Sequence, residues 1–462
     1  MTLNRRTVLQ GLGGSLFASQ LSFLPRIAQS ASPSSYQALV CIFLYGGNDS
    51  NNTVIPLDPT NYERYQQWRA SLALTAGNGN APIPLGSTTY GLHPSLPKTA
   101  SLWNSGDVGI VFNVGTLVDQ TLTVAGYQAN PTGPNVPDSL FSHEDQRNEW
   151  KSAISQGSSD TGWGGRIADV LAYSGAGLVP PLLSFAGPDL FTLGAQDAPL
   201  CLPATGSFLL KPYAGKTYRS IVDSLATTLA NPAQTRYADE ATTAVQTITT
   251  AGIAASGLLN PVLTGANPMI DGFFSSLNTS ISQQLWSVAK IIADNASLGA
   301  QAQVFYADLG NFDTHQNELV VQAELLGELD DAVYAFYQAM GALGLTKNVT
   351  TFTLSDFSRT YVPNTTGGTD HAWGSDMFVY GGSVKPRSLV GQMPALNAFV
   401  SGQPVSPLDI GTEGRWLPQI SVTQYGATLA SWLGVSAKNL SSAFPSIANF
   451  KPQNLGFLNP AP

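Results

Sequence analysis

An unbroken apolar run, Ala38-Leu39-Val40-Cys41-Ile42-Phe43-Leu44, ends abruptly in Gly46-Gly47-Asn48-Asp49. Such a short apolar run, bounded by a turn signal, reads as a strand buried on both faces. Similar runs recur at Val108 to Val114, Pro181 to Phe185, Gln303 to Ala307 and Val349 to Leu354, with Met377 to Tyr380 as a further strand. Between them, a long amphipathic helix is predicted from about Asn317 to Leu343. Its apolar positions Val320, Leu325, Leu329, Val333, Phe336 and Met340 recur at helical spacing. Strands alternating with helices predict an α/β fold: an αβα sandwich around a mainly parallel sheet. The stretch 217–300 reads as mostly helical, interrupted near Gly257 to Pro268. Its Ala- and Thr-rich middle, Ala241 to Leu259, carries no charged side chain. It is expected to be a helical insertion or cap.

The N-terminus carries Asn4-Arg5-Arg6-Thr7-Val8-Leu9 ahead of a short apolar segment, Gly11 to Leu24, closed by Pro25 and Arg26. Paired arginines before an apolar segment too short to cross a bilayer read as a twin-arginine export signal. Ala28-Gln29-Ser30 fits a small-x-small cleavage site. The expected organisation is therefore a signal peptide over 1–30 and one large domain over 31–462, in the periplasm or secreted. An ordinary secretory signal would give the same compartment.

Composition narrows the function. The net charge is -9, with no basic run after the signal, which argues against binding a nucleic-acid backbone. No other apolar stretch is long enough to span a membrane, so no integral membrane segment is expected in the mature chain. The two cysteines, Cys41 and Cys201, allow no cysteine-based metal site or redox pair at this spacing. Cys41, inside a strand, reads as a buried free thiol.

Ligands of open α/β sheets bind beyond the carboxyl ends of the strands. Polar residues gather at those ends here. Asp49 follows the first strand, Asp313 and His315 follow the Val304 strand, and Asp356 follows the Val349 strand. Asp370 and His371 lie in the Gly-rich loop Gly367 to Gly374 just beyond. Carboxylates and imidazoles converging on one cleft are what a divalent metal needs. Each residue also has a plainer use. Asp49 fits an Asx-type turn, Asp313 a helix cap and Asp370 a turn. In Leu140 to Gln146, Ser142 fits both a nucleophile at a helix N-terminus and a capping box with Asp145, and capping is the stronger reading. His143 has no such structural duty and reads as functional. His93 reads as structural, and Arg166 serves equally as an oxyanion holder or a structural arginine.

These clusters, in this order behind a twin-arginine signal, resemble a bacterial family known only as domain of unknown function 1501. The resemblance rests on Gly46 to Asn52, Leu140 to Gln146, Gly162 to Arg166, Phe312 to His315, Ser355 to Thr360 and Gly368 to Gly374. That family is in turn similar to the alkaline phosphatase and sulfatase superfamily. The resemblance implies a metal cleft at the strand ends, with Asp49, Asp313, His315, Asp356 and His371 as metal ligands. Ser142 matches the nucleophile position, while His143 and Asp370 would orient substrate or move protons. Phe357 stands where the superfamily has a histidine, Asp313 and His315 are unusually close, and Asp376-Met377 replaces a His-His pair. One metal, or an oxygen-rich Mg, Mn or Ca site, thus stands as an equal alternative to a dizinc site, with a degenerate, non-catalytic site as the third.

Two function classes follow. One is an exported metal-dependent hydrolase of phosphate or sulfate esters, taking an anionic ester substrate. The other is a catalytically degenerate periplasmic scaffold on the same fold, binding a protein partner through the helical segment around 240–300.

Overall fold

The computed structural model describes residues 36–171, 179–197, 199–208, 252 and 254–462. The expected signal peptide and much of the 217–300 stretch lie outside them.

A nine-stranded sheet forms the centre, in the order β11-β5-β10-β9-β1-β8-β6-β7, with β12 also paired to β5. The strands are β1 (Gln37–Leu44), β5 (Val108–Gly115), β6 (Leu182–Ser184), β7 (Leu200–Cys201), β8 (Ala302–Leu309), β9 (Val349–Ser355), β10 (Ser375–Tyr380), β11 (Ser388–Val390) and β12 (Ile420–Ser421). A small antiparallel sheet, β2 (Val54–Pro56), β4 (Tyr90–Leu92) and β3 (Ile83–Pro84), lies beside it. Of the strands in the large sheet, β10 alone runs against the others. The mainly parallel sheet predicted from the alternation of elements is thus the one that forms.

Successive residues of β1 point to opposite faces. Ala38, Val40, Ile42 and Leu44 join one apolar core with Leu285 and Val288 of a helix at Ser280–Ala293 and Leu329 and Phe336 of a helix at Glu318–Ala342. Leu39, Cys41 and Phe43 join a second core with Ile167 of a helix at Trp163–Leu171 and Leu429 of a helix at Val422–Leu433. Each layer of helices covers one face, which completes the αβα sandwich. The helix Ser280–Ala293, inside the expected insertion, is thus part of one layer.

One detail differs from expectation, and the free cysteines agree with it. In helix Glu318–Ala342 the buried stripe runs Gln322, Leu325, Leu329, Val333, Phe336 and Met340, whereas Val320 is 61% exposed. Val320 lies five residues before Leu325 and falls off the stripe, and Gln322 occupies that position because its amide donates to the Asp49 carbonyl. The cysteines are both free: Cys41 is on β1 and Cys201 on β7, with β8 and β6 between them. Three strand spacings, about 14 Å, are beyond the reach of a disulfide.

Register explains where the polar clusters go. Leu44 of β1 lies opposite both Leu309 of β8 and Ser355 of β9. The loops bearing Asp49, Asp313 and Asp356 therefore leave the sheet side by side. Because β10 is antiparallel, its first residue, Ser375, pairs with Val114 near the end of β5. The loop before β10 therefore reaches this same edge, carrying Asp370 and His371.

Candidate metal centre

At this edge three imidazoles meet one carboxylate. Asp313 Oδ1 lies 3.4 Å from His143 Nε2, 3.0 Å from His315 Nε2 and 3.4 Å from His371 Nε2. His315 Nε2 and His371 Nε2 are 3.0 Å apart. His143, Asp313 and His371 form one group that could hold a metal, with one donor atom of each within 4.8 Å of the others, and His315 adjoins it.

Each imidazole is held from behind. His143 Nδ1 donates to Asp356 Oδ2 at 2.7 Å, His371 Nδ1 to the Phe141 carbonyl at 2.6 Å, and His315 Nδ1 to Asp370 Oδ1 at 3.0 Å. Ionised carboxylates and carbonyls only accept, so they assign the proton to Nδ1 and leave the Nε2 lone pair free. Metal-binding histidines show this same pattern, with Nδ1–H anchored to a carboxylate or carbonyl. Three lone pairs thus face one oxygen whose charge Arg359 meets at 2.9 Å, and the lone pairs themselves repel unless a cation or proton lies among them. His143 Nε2 is buried and has no hydrogen-bond partner. Neighbouring ligands on zinc, with bonds of about 2.0–2.1 Å, lie about 3.3 Å apart, close to the 3.0–3.4 Å found here. The donor set therefore fits a divalent metal.

Electrostatics agree. Burial works to raise the Asp313 carboxyl, but Arg359, 2.9 Å away, together with His143 and His315, outweighs it and holds the group below its ordinary value. Burial, partly opposed by the Phe141 hydrogen bond, lowers His371 and keeps its imidazole in the neutral, ligating form.

Local structure explains the placement. Ser142 caps helix His143–Ser152, its Oγ accepting from the Asp145 amide at 3.4 Å, so His143 is the first helical residue. Phe141 holds φ at 72°, a left-handed conformation rare for a bulky residue, which turns its carbonyl toward His371. Gly46 has φ 110°, and a Cβ there would sit 2.4 Å from the Asp313 nitrogen. Gly47 is equally confined: a Cβ would meet the Phe357 ring at 2.5 Å. Phe357 packs under the site, with ring centroids 4.9 Å from His143 and 4.7 Å from His371.

Of the residues expected at the site, His143, Asp313, His315, Asp356, Asp370 and His371 are brought together. Asp49 is not among the converging atoms. Its carboxylate makes a buried ion pair with Arg69 and accepts from the Asn51 amide, so its charge is already balanced. Asp356 and Asp370 sit behind histidines, and Asp356 also accepts from the Gly46 amide. Ser142 is engaged as a cap. Asp376 lies elsewhere, buried against the Asn113 amide, and burial pushes it up to about 7. Arg166 donates to the carbonyls of Ala443, Thr161 and Ser152, which is a structural role. His93 is buried and accepts from the Ser95 amide.

Sequence reasoning gave no role to Arg359, Arg147, Arg415 or the Phe141 carbonyl. Arg359 follows Asp356 by three residues in a strand-end loop, and that position was a usable signal. A backbone carbonyl carries none.

Residues 227–438 match the family model described as "Protein of unknown function (DUF1501)". No curated protein sequence matches the chain significantly. Among solved structures, it is similar to Ps i-CgsB in complex with k-i-k-neocarrahexaose, at 10% identity and TM-score 0.37, covering 91% of this chain and 78% of that one. It is also similar to a protein of glycosaminoglycan metabolism from Bacteroides thetaiotaomicron, at 12% identity and TM-score 0.33, covering 89% and 82%. A third is the phosphonate monoester hydrolase of Agrobacterium radiobacter, at 12% identity and TM-score 0.26, covering 86% and 74%. The matched stretch, residues 227–438, is a little under half of the chain and carries Asp313, His315, Asp356, Asp370 and His371.

Proposed function

We propose that this protein is an exported, single-metal hydrolase of phosphate or sulfate esters. The observation that carries the reading is the convergence of three imidazole Nε2 atoms on Asp313 Oδ1, with every Nδ1 anchored. His143, His371, Asp313 and His315 hold the metal. Asp356, Asp370 and the Phe141 carbonyl fix the tautomers. A metal so bound supplies Lewis-acid polarisation of an ester oxygen and activation of water. Three nitrogen donors and one carboxylate favour zinc over the hard, oxygen-seeking Mg or Ca. Phe357 closes the site beneath His143 and His371, and Asp49 is neutralised by Arg69, so a single ion suits this chain better than a pair. Those two features also favour the alternative, a degenerate scaffold that has lost catalysis.

Cleft access supports turnover. Asp313 and His315 side chains are 46% and 43% exposed, while Asp356 is 1% exposed. Substrate thus meets the metal-holding atoms, and the orienting carboxylate stays dry. The export reading rests on Asn4 to Leu24, and mass spectrometry of the secreted protein tests it by locating the mature start near Ala31.

The test is elemental analysis of protein purified without chelator, with screening of phosphate and sulfate esters. One equivalent of metal in the wild type, lost in His371→Ala and Asp313→Ala together with ester hydrolysis, is expected. Metal without turnover on any ester favours the scaffold. Absence of metal overturns the proposal.

A further inference from the structure

Four arginines surround the centre, and they divide into two kinds. Arg69 and Arg359 are fully buried and tied to protein acceptors. Arg147 and Arg415 reach solvent, with side chains 35% and 30% exposed. These two share an arrangement. Arg147, one helical turn after His143, donates from Nε to the His143 carbonyl at 2.8 Å, and its guanidinium carbon lies 5.6 Å from the Tyr45 ring centre. Arg415 donates from Nε to the His371 carbonyl at 2.9 Å, with its guanidinium 5.2 Å from the Phe141 ring centre. The rings of His143 and His371 are 4.3 Å apart, so the two braced arginines hang from neighbouring residues of the same centre.

A guanidinium carries five N–H donors in a rigid fork. Nε bracing and ring stacking fix that fork in advance, which removes much of the rotamer cost a surface arginine meets on binding. The terminal nitrogens of Arg147 have no hydrogen-bond partner among the described residues, although its Nε lies 3.4 Å from Asp356 Oδ2. One terminal nitrogen of Arg415 is held by Glu413 at 2.7 Å. The stronger site is therefore at Arg147. Open terminal nitrogens on a fixed guanidinium match the paired oxygens of a tetrahedral oxyanion.

We infer that Arg147 and Arg415 form a two-armed clamp for a tetrahedral oxyanion, free or as the head of an ester, with Arg147 the dominant arm. As the specificity device of the proposed hydrolase, the clamp rests on that reading. Its chemistry does not need the metal.

The test is titration of inorganic phosphate and inorganic sulfate into the full protein, metal-loaded and metal-stripped, followed by calorimetry. Wild type, Arg147→Gln, Arg147→Lys and Arg415→Gln are compared, with the metal content of each measured. Arg147→Gln is expected to weaken anion binding about tenfold or more, in both forms. Arg147→Lys falls between wild type and Arg147→Gln, and Arg415→Gln has the smaller effect. Metal content stays unchanged. Anion affinity unaltered in Arg147→Gln overturns the clamp, as does a loss that appears only where metal is lost, because the arginine then merely braces a histidine. Absence of anion binding by the wild type in either form also overturns it. Arg147-dependent binding to a wild type that holds no metal would leave the clamp standing while the hydrolase reading falls.

Discussion

Glu149 lies on helix His143–Ser152, 4% exposed, with the Thr116 side chain and the Asp138 backbone beside its carboxyl. Burial pushes its carboxyl up to about 9, from an ordinary value of 4.5. The folded protein therefore keeps Glu149 protonated at neutral pH, whereas the unfolded chain releases that proton above pH 4.5. A raised carboxyl makes the native state the proton-rich one, so its contribution is greatest below pH 4.5 and is lost as pH rises toward 9. Between pH 5 and pH 8 the loss is three pH units at about 1.36 kcal/mol each, or about 4 kcal/mol. Glu149→Gln keeps the shape and removes the titration. Any mismatch of the glutamine amide with Thr116 and the Asp138 backbone costs about 1–3 kcal/mol and does not vary with pH. The variant should match or fall below wild type at pH 5 and exceed it at pH 8. Urea unfolding at pH 5, 6.5 and 8 reads the difference directly. Parallel stability profiles for the two proteins would refute the reasoning, because the carboxyl would then ionise alike in both states.

Further outcomes are expected for five variants. Arg69→Met leaves Asp49 and Glu318 buried without their cation, at about 3–5 kcal/mol, and adding Asp49→Asn and Glu318→Gln should recover part of that in urea unfolding. Gly46→Ala drives a Cβ onto the Asp313 backbone and should lower both metal affinity and melting temperature. Gly367→Ala, with φ 77° but nothing within 4 Å, should cost only about 1–2 kcal/mol and leave metal bound. Burial holds His93 down at about 4, so its contribution is full above pH 6.5 and lost as pH falls toward 4. His93→Asn, which keeps an acceptor for the Ser95 amide, should flatten that slope by up to about 3 kcal/mol in the same unfolding series. Ser142→Ala should cost about 1 kcal/mol of stability as a lost cap and leave metal content and turnover largely intact; abolished turnover with full metal content would make Ser142 the nucleophile.

The sequence by itself determined the layers and the edge at which chemistry gathers. Apolar runs such as Ala38 to Leu44 have one stable place, a sheet interior, and the stripe from Leu325 to Met340 has one face to bury. Parallel strands then put the residues after β1, β8 and β9 at one edge, because their ends share register. Which of those residues face one another was decided only by tertiary structure. Asp49 and Asp313 both follow strands, yet Arg69, twenty residues after Asp49, takes one carboxylate, while antiparallel β10 delivers His371 to the other. Asp356 lies behind the His143 ring because a helix cap at Ser142 sets that ring in front of the carboxylate. A side chain's type limits what it can bind, and its distance from partners remote in sequence, which local spacing does not encode, settles what it does bind.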